Sequence, residues 1–322
     1  MEIRKLTQED IPELIRFGEE VYPDRKDSYS KLIHFVMDNR IGGYTGGVIL
    51  VDGDRIVGQS LHTEMNLNYK GINRISGWGY ELIVDEKLRK EAWGIEIMLG
   101  CRKNFPGACA TGSNPNALKL NQKLGYTLVG EIKKYIGLSS ILRFPINLLP
   151  TKKSFPSEIN GFKLINDISK FKERNYFNVN LVEPGRDRNF IKWRYFTPNF
   201  KDYKLYQNDA GDWFVVRIIR QKGFNMLLVS DYRCNLDSKD SFSNIYKTIR
   251  RIANKLYVPF ILCSSSHKIT DKVLNTKIAK SIGRPRPIIF AKQFKDWLLK
   301  DRINERDFCF ITFGDSDGEW NW

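Results

Sequence analysis

At 322 residues the chain exceeds the usual size of one hydrophobic core, so two domains are expected. Hydrophobic residues make up 42%, which excludes a disordered chain. The formal charge of +15 favours anionic partners such as phosphorylated cofactors, nucleotide-linked sugars, nucleic acid or anionic lipid, but the basic residues are scattered among acids, which argues against nucleic acid.

Residues 1–6 predict a strand. Thr7 to Asp10 form a capped helix start, followed by Ile11, Leu14, Ile15 and Phe17 at helical spacing. A second helix is expected over 30–39. Residues 48–51 and 55–62, joined at Asp52-Gly53-Asp54, read as a hairpin. Residues 72–78 lead into a central strand at 80–84, where Glu81 and Tyr80 should face opposite ways. A charged turn (85–92) with Lys87, Arg89 and Lys90 then feeds a helix over 93–102. Such a junction suits an anion, because the first N–H groups of a helix are unpaired and its dipole is positive there. A strand at 108–111 and a helix over 117–124 follow. Asn114-Pro115-Asn116 opens that helix and Gly125 ends it. Prolines 145, 150 and 156 with Lys152-Lys153 mark 139–157 as a linker between domains 1–138 and 158–322.

Beyond the linker the pattern repeats. Residues 162–165 match the first strand, and a helix ends at 190–196 before Thr197-Pro198-Asn199. Residues 32–58 and 190–216 align loosely, each with a hairpin turn, the second at Ala210-Gly211-Asp212. Residues 224–229 match the central strand, 241–256 the helix after the charged turn, 260–263 the second strand and 272–283 the second helix.

The segment 79–126 resembles the GCN5-related N-acetyltransferase (GNAT) family. Arg89-Lys90-Glu91-Ala92-Trp93-Gly94 fills that family's Arg/Gln-x-x-Gly-x-Gly/Ala phosphate loop, with Ala92 in place of the first glycine and a bulky Trp93. Asn114 to Tyr126 matches its second block, except that Asn121 stands where the family often has a tyrosine acid. The resemblance implies an α/β fold with a mixed sheet, in two tandem GNAT-like domains. The second is degenerate, because 230–240 contains no Arg-x-x-Gly-x-Gly. It also implies acetyl-CoA or a longer acyl-CoA as donor. Pantetheine would lie along Leu82, Ile83 and Val84, and pyrophosphate on Arg89, Lys90, Glu91, Ala92, Trp93, Gly94 and Ile95. Asn114 and Asn116 would complete the cofactor site.

Tandem GNAT chains with a tryptophan like Trp193 before a proline turn, and a closing Gly-Asp-x-Asp like 314–317, recur among acyltransferases of bacterial surface-polysaccharide pathways, including the anthrose type. That resemblance implies a small acceptor, an amino sugar on a nucleotide, bound between the domains. Glu81 is the first candidate base; it could equally be a satisfied strand carboxylate or bind the acceptor. His267, after Ser264-Ser265-Ser266, is the second, and His62 a half-exposed alternative. Trp78, His62, Arg194 and Asp315 are candidates for holding the acceptor, through stacking, bidentate pairing or hydrogen bonds to an amine or hydroxyls. Trp193 packs in a core on the plainer reading.

Two other acceptors stay open: a protein or peptide amine, and an aminoacyl-tRNA-type donor reaction. A catalytically inactive CoA-binding module is the reading of a different class. The cysteines (Cys101, Cys109, Cys234, Cys263, Cys309) are dispersed without a CxxC pair, so neither a metal site nor a disulfide framework is expected. No apolar run approaches the ~20 residues of a membrane span, and the polar N-terminus has no signal peptide, so a cytoplasmic location is expected.

Overall fold

The computed structural model describes residues 1–37, 45–69, 71–104, 108–140, 151, 154–173, 181–198, 201–275, 279–291 and 309–315. Most of the expected linker, with Lys152 and Lys153, and Asp317 of the closing motif lie outside these residues.

Fourteen strands form one mixed sheet. The first part holds β1 (Glu2–Lys5), α1 (Ile11–Val21), α2 (Lys26–Met37), β2 (Thr45–Asp52), β3 (Arg55–Tyr69), β4 (Ile72–Val84), α3 (Trp93–Asn104), β5 (Ala108–Thr111), α4 (Pro115–Lys123) and β6 (Thr127–Leu138). The second part holds β7 (Glu158–Ile159), β8 (Phe162–Ile165), β9 (Glu183–Pro184), α5 (Arg188–Ile191), β10 (Lys204–Asn208), β11 (Trp213–Gln221), β12 (Phe224–Arg233), α6 (Lys239–Lys255), β13 (Phe260–Ser265), α7 (Lys268–Leu274) and β14 (Ala279–Phe290).

The sheet runs β1-β2-β3-β4-β5-β14-β6-β13-β12-β11-β10-β8-β7, with β9 against β3. Read inward from either end it follows one plan: antiparallel neighbours, then a parallel pair, which is β4 with β5 or β12 with β13. A helix joins each parallel pair, as its crossover geometry requires. At the centre the two ends interlock. β14, from late in the chain, pairs with β5, and β6 pairs with β13, so neither end closes its sheet with its own last strand.

Alternation along β2 sorts the layers. Ile49 and Val51 pack under α1 and α2, while Val48 and Leu50 pack under α3. A third core around Trp78, Ile132, Leu262 and Ile288 is closed by Cys309, Ile311 and Phe313. The stacked rings of Phe35 on α2 and Trp193, 4.9 Å apart, tie the two parts together.

Three elements differ from expectation. The second helix begins at Lys26 rather than residue 30. Helix α5 passes into a π-turn over Lys192–Phe196, in which the Thr197 N–H reaches the Lys192 carbonyl. The helix expected over 272–283 is displaced: α7 starts at Lys268, capped by His267, and ends at Leu274, and from Ala279 the chain is strand.

Candidate active site

β4 and β5 are paired only through Gly77, Trp78 and Gly79. On its other edge β5 pairs with β14, and among the described residues no strand pairing joins residues 82–84 of β4 to β5. A cavity of about 360 Å³ occupies the opening. Its wall includes Ser60 and His62 from β3, Tyr80, Glu81 and Leu82 from β4, and Met98 and Cys101 from α3. Thr111 ends β5, Gly112 to Asn114 follow it, and Asn121 comes from α4. Tyr22 and Arg25, from the α1–α2 connection, close one side, and Arg286 from β14 another.

The register shows why so many β4 side chains reach this cavity. Gln59 pairs with Ile83 and Leu61 with Tyr80, so β4 carries one extra residue and bulges. Glu81 takes φ 46°, a region an ordinary residue enters only under constraint. The bulge breaks the alternation, and Tyr80 and Glu81 both line the cavity instead of facing opposite ways. The Glu81 side chain is 5% exposed and lies 3.5 Å from an Arg25 guanidinium nitrogen, which itself stacks over Tyr22.

The charged turn lies beside the end of β4. The first helical N–H groups with acceptors are those of Ile95 and Glu96, both on the Ala92 carbonyl. The N–H groups of Ala92, Trp93 and Gly94 therefore point out of the helix end as donors for an anion. The Trp93 side chain packs against the cluster of Val48, Leu50, Ile97 and Cys101, and its indole N–H donates to Glu91 at 2.6 Å. A Cβ on Gly94 would meet only Val84 Cγ2 at 3.8 Å, which leaves open space in front of the loop. Arg89 is exposed and donates from Nε to the Val84 carbonyl at 3.1 Å.

Of the other expected site residues, Leu82 lines the cavity; Ile83 is buried against α1 and α2. Asn114 lines the cavity and also caps α4, its side chain accepting from the Ala117 N–H at 2.9 Å. Asn116 is exposed. Asn121 is buried, donates to Ser113 Oγ at 3.1 Å, and keeps its carbonyl oxygen without a hydrogen-bond partner. His62 is buried rather than half-exposed, with Nε2 3.1 Å from Ser60 Oγ. Burial pushes its pKa down to about 4, so the ring is neutral at neutral pH.

Four expected residues are placed away from the cavity wall. Trp78 is fully buried in the third core. His267 is the N-cap of α7, its Nδ1 accepting from the Ile269 N–H at 3.4 Å. Arg194 is buried and donates to the Gly314 carbonyl at 2.7 Å. Asp315 is buried beside Arg186, which also bonds both oxygens of Asp231 at 3.2 Å.

Those last contacts belong to the second parallel pair. β12 bulges at its equivalent place, where Val216 pairs with Val229 and Val215 with Asp231. Here residues 309–315 stand against both strands. The N–H of Ile311 donates to Ser266 Oγ at 2.8 Å and that of Phe313 to Ser264 Oγ at 3.1 Å, while Thr312 Oγ1 donates to Asp231 at 2.7 Å. The whole segment is buried.

Arg25, Tyr22, Gly112 and Arg286 were not identified from sequence. They meet only when α1, β5 and the late strand β14 come together, and only the Arg-Pro-Arg-Pro run at 284–287 marks the spot locally.

No family model matches the sequence, and no curated protein matches it. Solved structures do. A conserved protein of Enterococcus faecalis V583, described as a probable N-acyltransferase, is 13% identical with a TM-score of 0.60, covering 93% of this chain and 74% of that one. A GCN5-related N-acetyltransferase from Anabaena variabilis is 12% identical with a TM-score of 0.60, covering 90% and 72%. The N-myristoyltransferase of Saccharomyces cerevisiae with bound myristoyl-CoA is 10% identical with a TM-score of 0.56, covering 90% and 82%. The chain therefore has the mixed α/β fold shared by GCN5-related N-acetyltransferases and N-myristoyltransferase.

Proposed function

We propose that this protein transfers an acyl group from acyl-CoA, acetyl or longer, to the amine of a small anionic acceptor, an amino sugar on a nucleotide being the favoured case. The observation that carries the reading is the opening between β4 and β5, a cavity walled by Leu82 of β4 and by Met98 and Cys101 of α3, the helix that the charged turn feeds. The acyl donor is a substrate here. Its diphosphate would meet the N–H groups of Ala92 to Gly94, and its amide arm would run along the backbone of Leu82 to Val84, with Ile83 contributing only backbone.

In the reaction the amine nitrogen attacks the thioester carbon, the N–C bond forms, and the C–S bond breaks to release CoA thiol. The acceptor enters as an ammonium and must lose one proton before attack and another after it. Glu81 is the carboxylate on the cavity wall and is the base in this reading, directly or through water. The thiol needs little help to leave, since its pKa is about 8.5 by analogy with cysteine. A tyrosine acid at position 121 is thus dispensable. His267, Arg194 and Asp315 take structural roles, and Trp78 a packing role. The two ends of the sheet are read as two GNAT-like copies that exchange a strand, with a single donor site in the first.

The test uses full-length protein with acetyl-CoA and longer acyl-CoAs, measuring binding by calorimetry and thiol release over an amine panel. Micromolar binding that Gly94→Asp abolishes, with the variant still folded, is expected, because the change puts bulk and negative charge on the loop. Unchanged affinity in folded Gly94→Asp refutes the donor site. Binding without release of thiol for any amine favours a CoA-binding module. A peptide amine is the second reading, so the panel includes a peptide with a free N-terminus.

A further inference from the structure

The first part of the chain does not complete the cavity wall on its own. Arg286 comes from β14, beyond residue 279, yet lines the same cavity as Glu81 and Arg25. Several features fix its place. β14 gains two extra residues between Ile282 and Arg286 relative to β6, and Gly283 bends the chain there with φ 63°. Pro285 and Pro287 flank Arg286 and hold the backbone angle φ on either side of it. The Pro287 carbonyl accepts the Gly112 N–H at 3.0 Å, which pins this turn of β14 to the end of β5. The guanidinium then lies flat against Gly112. A Cβ there would come within 2.4 Å of Arg286 Nη2 and 2.5 Å of Nε, and Gly112 has φ 84°, which favours glycine in its own right.

Nothing in the transfer chemistry itself calls for this arginine. The donor's phosphates are served at α3, and the base is Glu81. A guanidinium presents paired N–H donors in a plane that matches a phosphate or carboxylate. From these features we infer that Arg286 is the specificity-determining residue of the acceptor side. It binds an oxyanion of the acceptor, while Arg25, 3.5 Å from Glu81, orients that carboxylate toward the amine. The inference rests on the acyl-transfer reading and names the feature its acceptor must carry: a phosphate, diphosphate or carboxylate on the same small molecule as the amine. It also gives the strand exchange a purpose, since the acceptor side is complete only when β14 is in place.

The experiment titrates CoA-saturated full-length protein with glucosamine, glucosamine 1-phosphate, UDP-glucosamine and 2-amino-2-deoxyglucuronic acid. With the donor's anion site filled, at least one anionic probe should bind tenfold or more tightly than glucosamine, and the one that does identifies the oxyanion. Arg286→Gln should weaken that probe at least tenfold while CoA affinity holds. Gly112→Ala, which keeps the arginine but displaces it, should do the same in part. Equal binding of glucosamine and the probes that carry an oxyanion overturns the inference, as does undiminished binding in folded Arg286→Gln. Loss of CoA affinity in Arg286→Gln reassigns the residue to the donor and also overturns it. The two readings fail separately. If CoA does not bind but an Arg286-dependent oxyanion site is found without it, the acyl-transfer reading falls and the oxyanion site stands.

Discussion

Glu81 sits at the point where β4 cannot keep its alternation, and this decides what the residue can do. In a regular strand its side chain would face away from that of Tyr80; the extra residue turns both toward the cavity. A carboxylate 5% exposed, held 3.5 Å from Arg25, is fixed rather than solvated. Glu81→Gln should therefore lower kcat by about 10² to 10⁴-fold near neutral pH, the usual contribution of a positioned base, with acyl-CoA affinity kept. The deficit should shrink as pH rises and the amine loses its proton unaided. A pH-independent deficit in kcat would remove Glu81 from the proton path. Asn121→Ala should cost far less, since Asn121 reaches Ser113 and supplies no acid. His62 does not compete for the role, because a ring with a pKa near 4 is a poor base at neutral pH. Sequence placed Glu81 on the central strand but could not foresee the bulge. Its cause is a one-residue mismatch with β3, which is a property of the pair and not of either strand.

At the scale of elements, amphipathic helices and the charged turn were legible because their signals are local. Asn114 before a proline caps α4, and the helix after the turn starts at Trp93 as expected. β14 was not legible. Its Gly283-Arg284-Pro285-Arg286-Pro287 run reads as a breaker, yet the strand tolerates it because the irregularity falls within a bulge. Asp315, a candidate from sequence for holding the acceptor's amine or hydroxyls, instead belongs to 309–315, a buried filler of the second opening. Five charged side chains surround it, Glu183, Arg186, Arg194, Asp231 and Arg233, and Asp315 lies within it. Burial pushes the Asp315 carboxyl up to about 7, with Arg186 opposing and Asp231 adding to the rise. The folded chain thus holds a proton that the unfolded chain releases near the ordinary carboxyl value of 3.8. That contribution to stability is complete below pH 3.8 and is lost as pH climbs to about 7. Thermal melts of the protein and of Asp315→Asn, compared from pH 4 to 8, should show a gap that changes across this window in the direction of a less stable wild type at high pH. A gap independent of pH would mean that Asp315 stays ionised throughout, neutralised by Arg186.

The whole molecule presents the same strand plan twice and uses the two openings differently. At β4 and β5 the opening is a cavity beside a helix whose first N–H groups are free to receive an anion. At β12 and β13 residues 309–315 occupy the corresponding place, their N–H groups bonded to Ser264 and Ser266. The helix after β12 is also closed, since Ser238 already accepts the Asp240 N–H at its start. Opening that second site would strip a fully buried segment from the Trp78 core and take from Arg186, Arg194 and Asp231 the partners it supplies: Asp315, the Gly314 carbonyl and Thr312. Uncompensated buried charge costs several kcal/mol per ion, more than a diphosphate could return at a helix end with no glycine loop. Calorimetric titration should accordingly end at one acyl-CoA per chain, and Gly94→Asp should remove all of it rather than half. A second equivalent, or residual binding in folded Gly94→Asp, would show that 309–315 yields to the cofactor. The second half would then be a donor site in its own right, not the scaffold that carries Arg286 to the first.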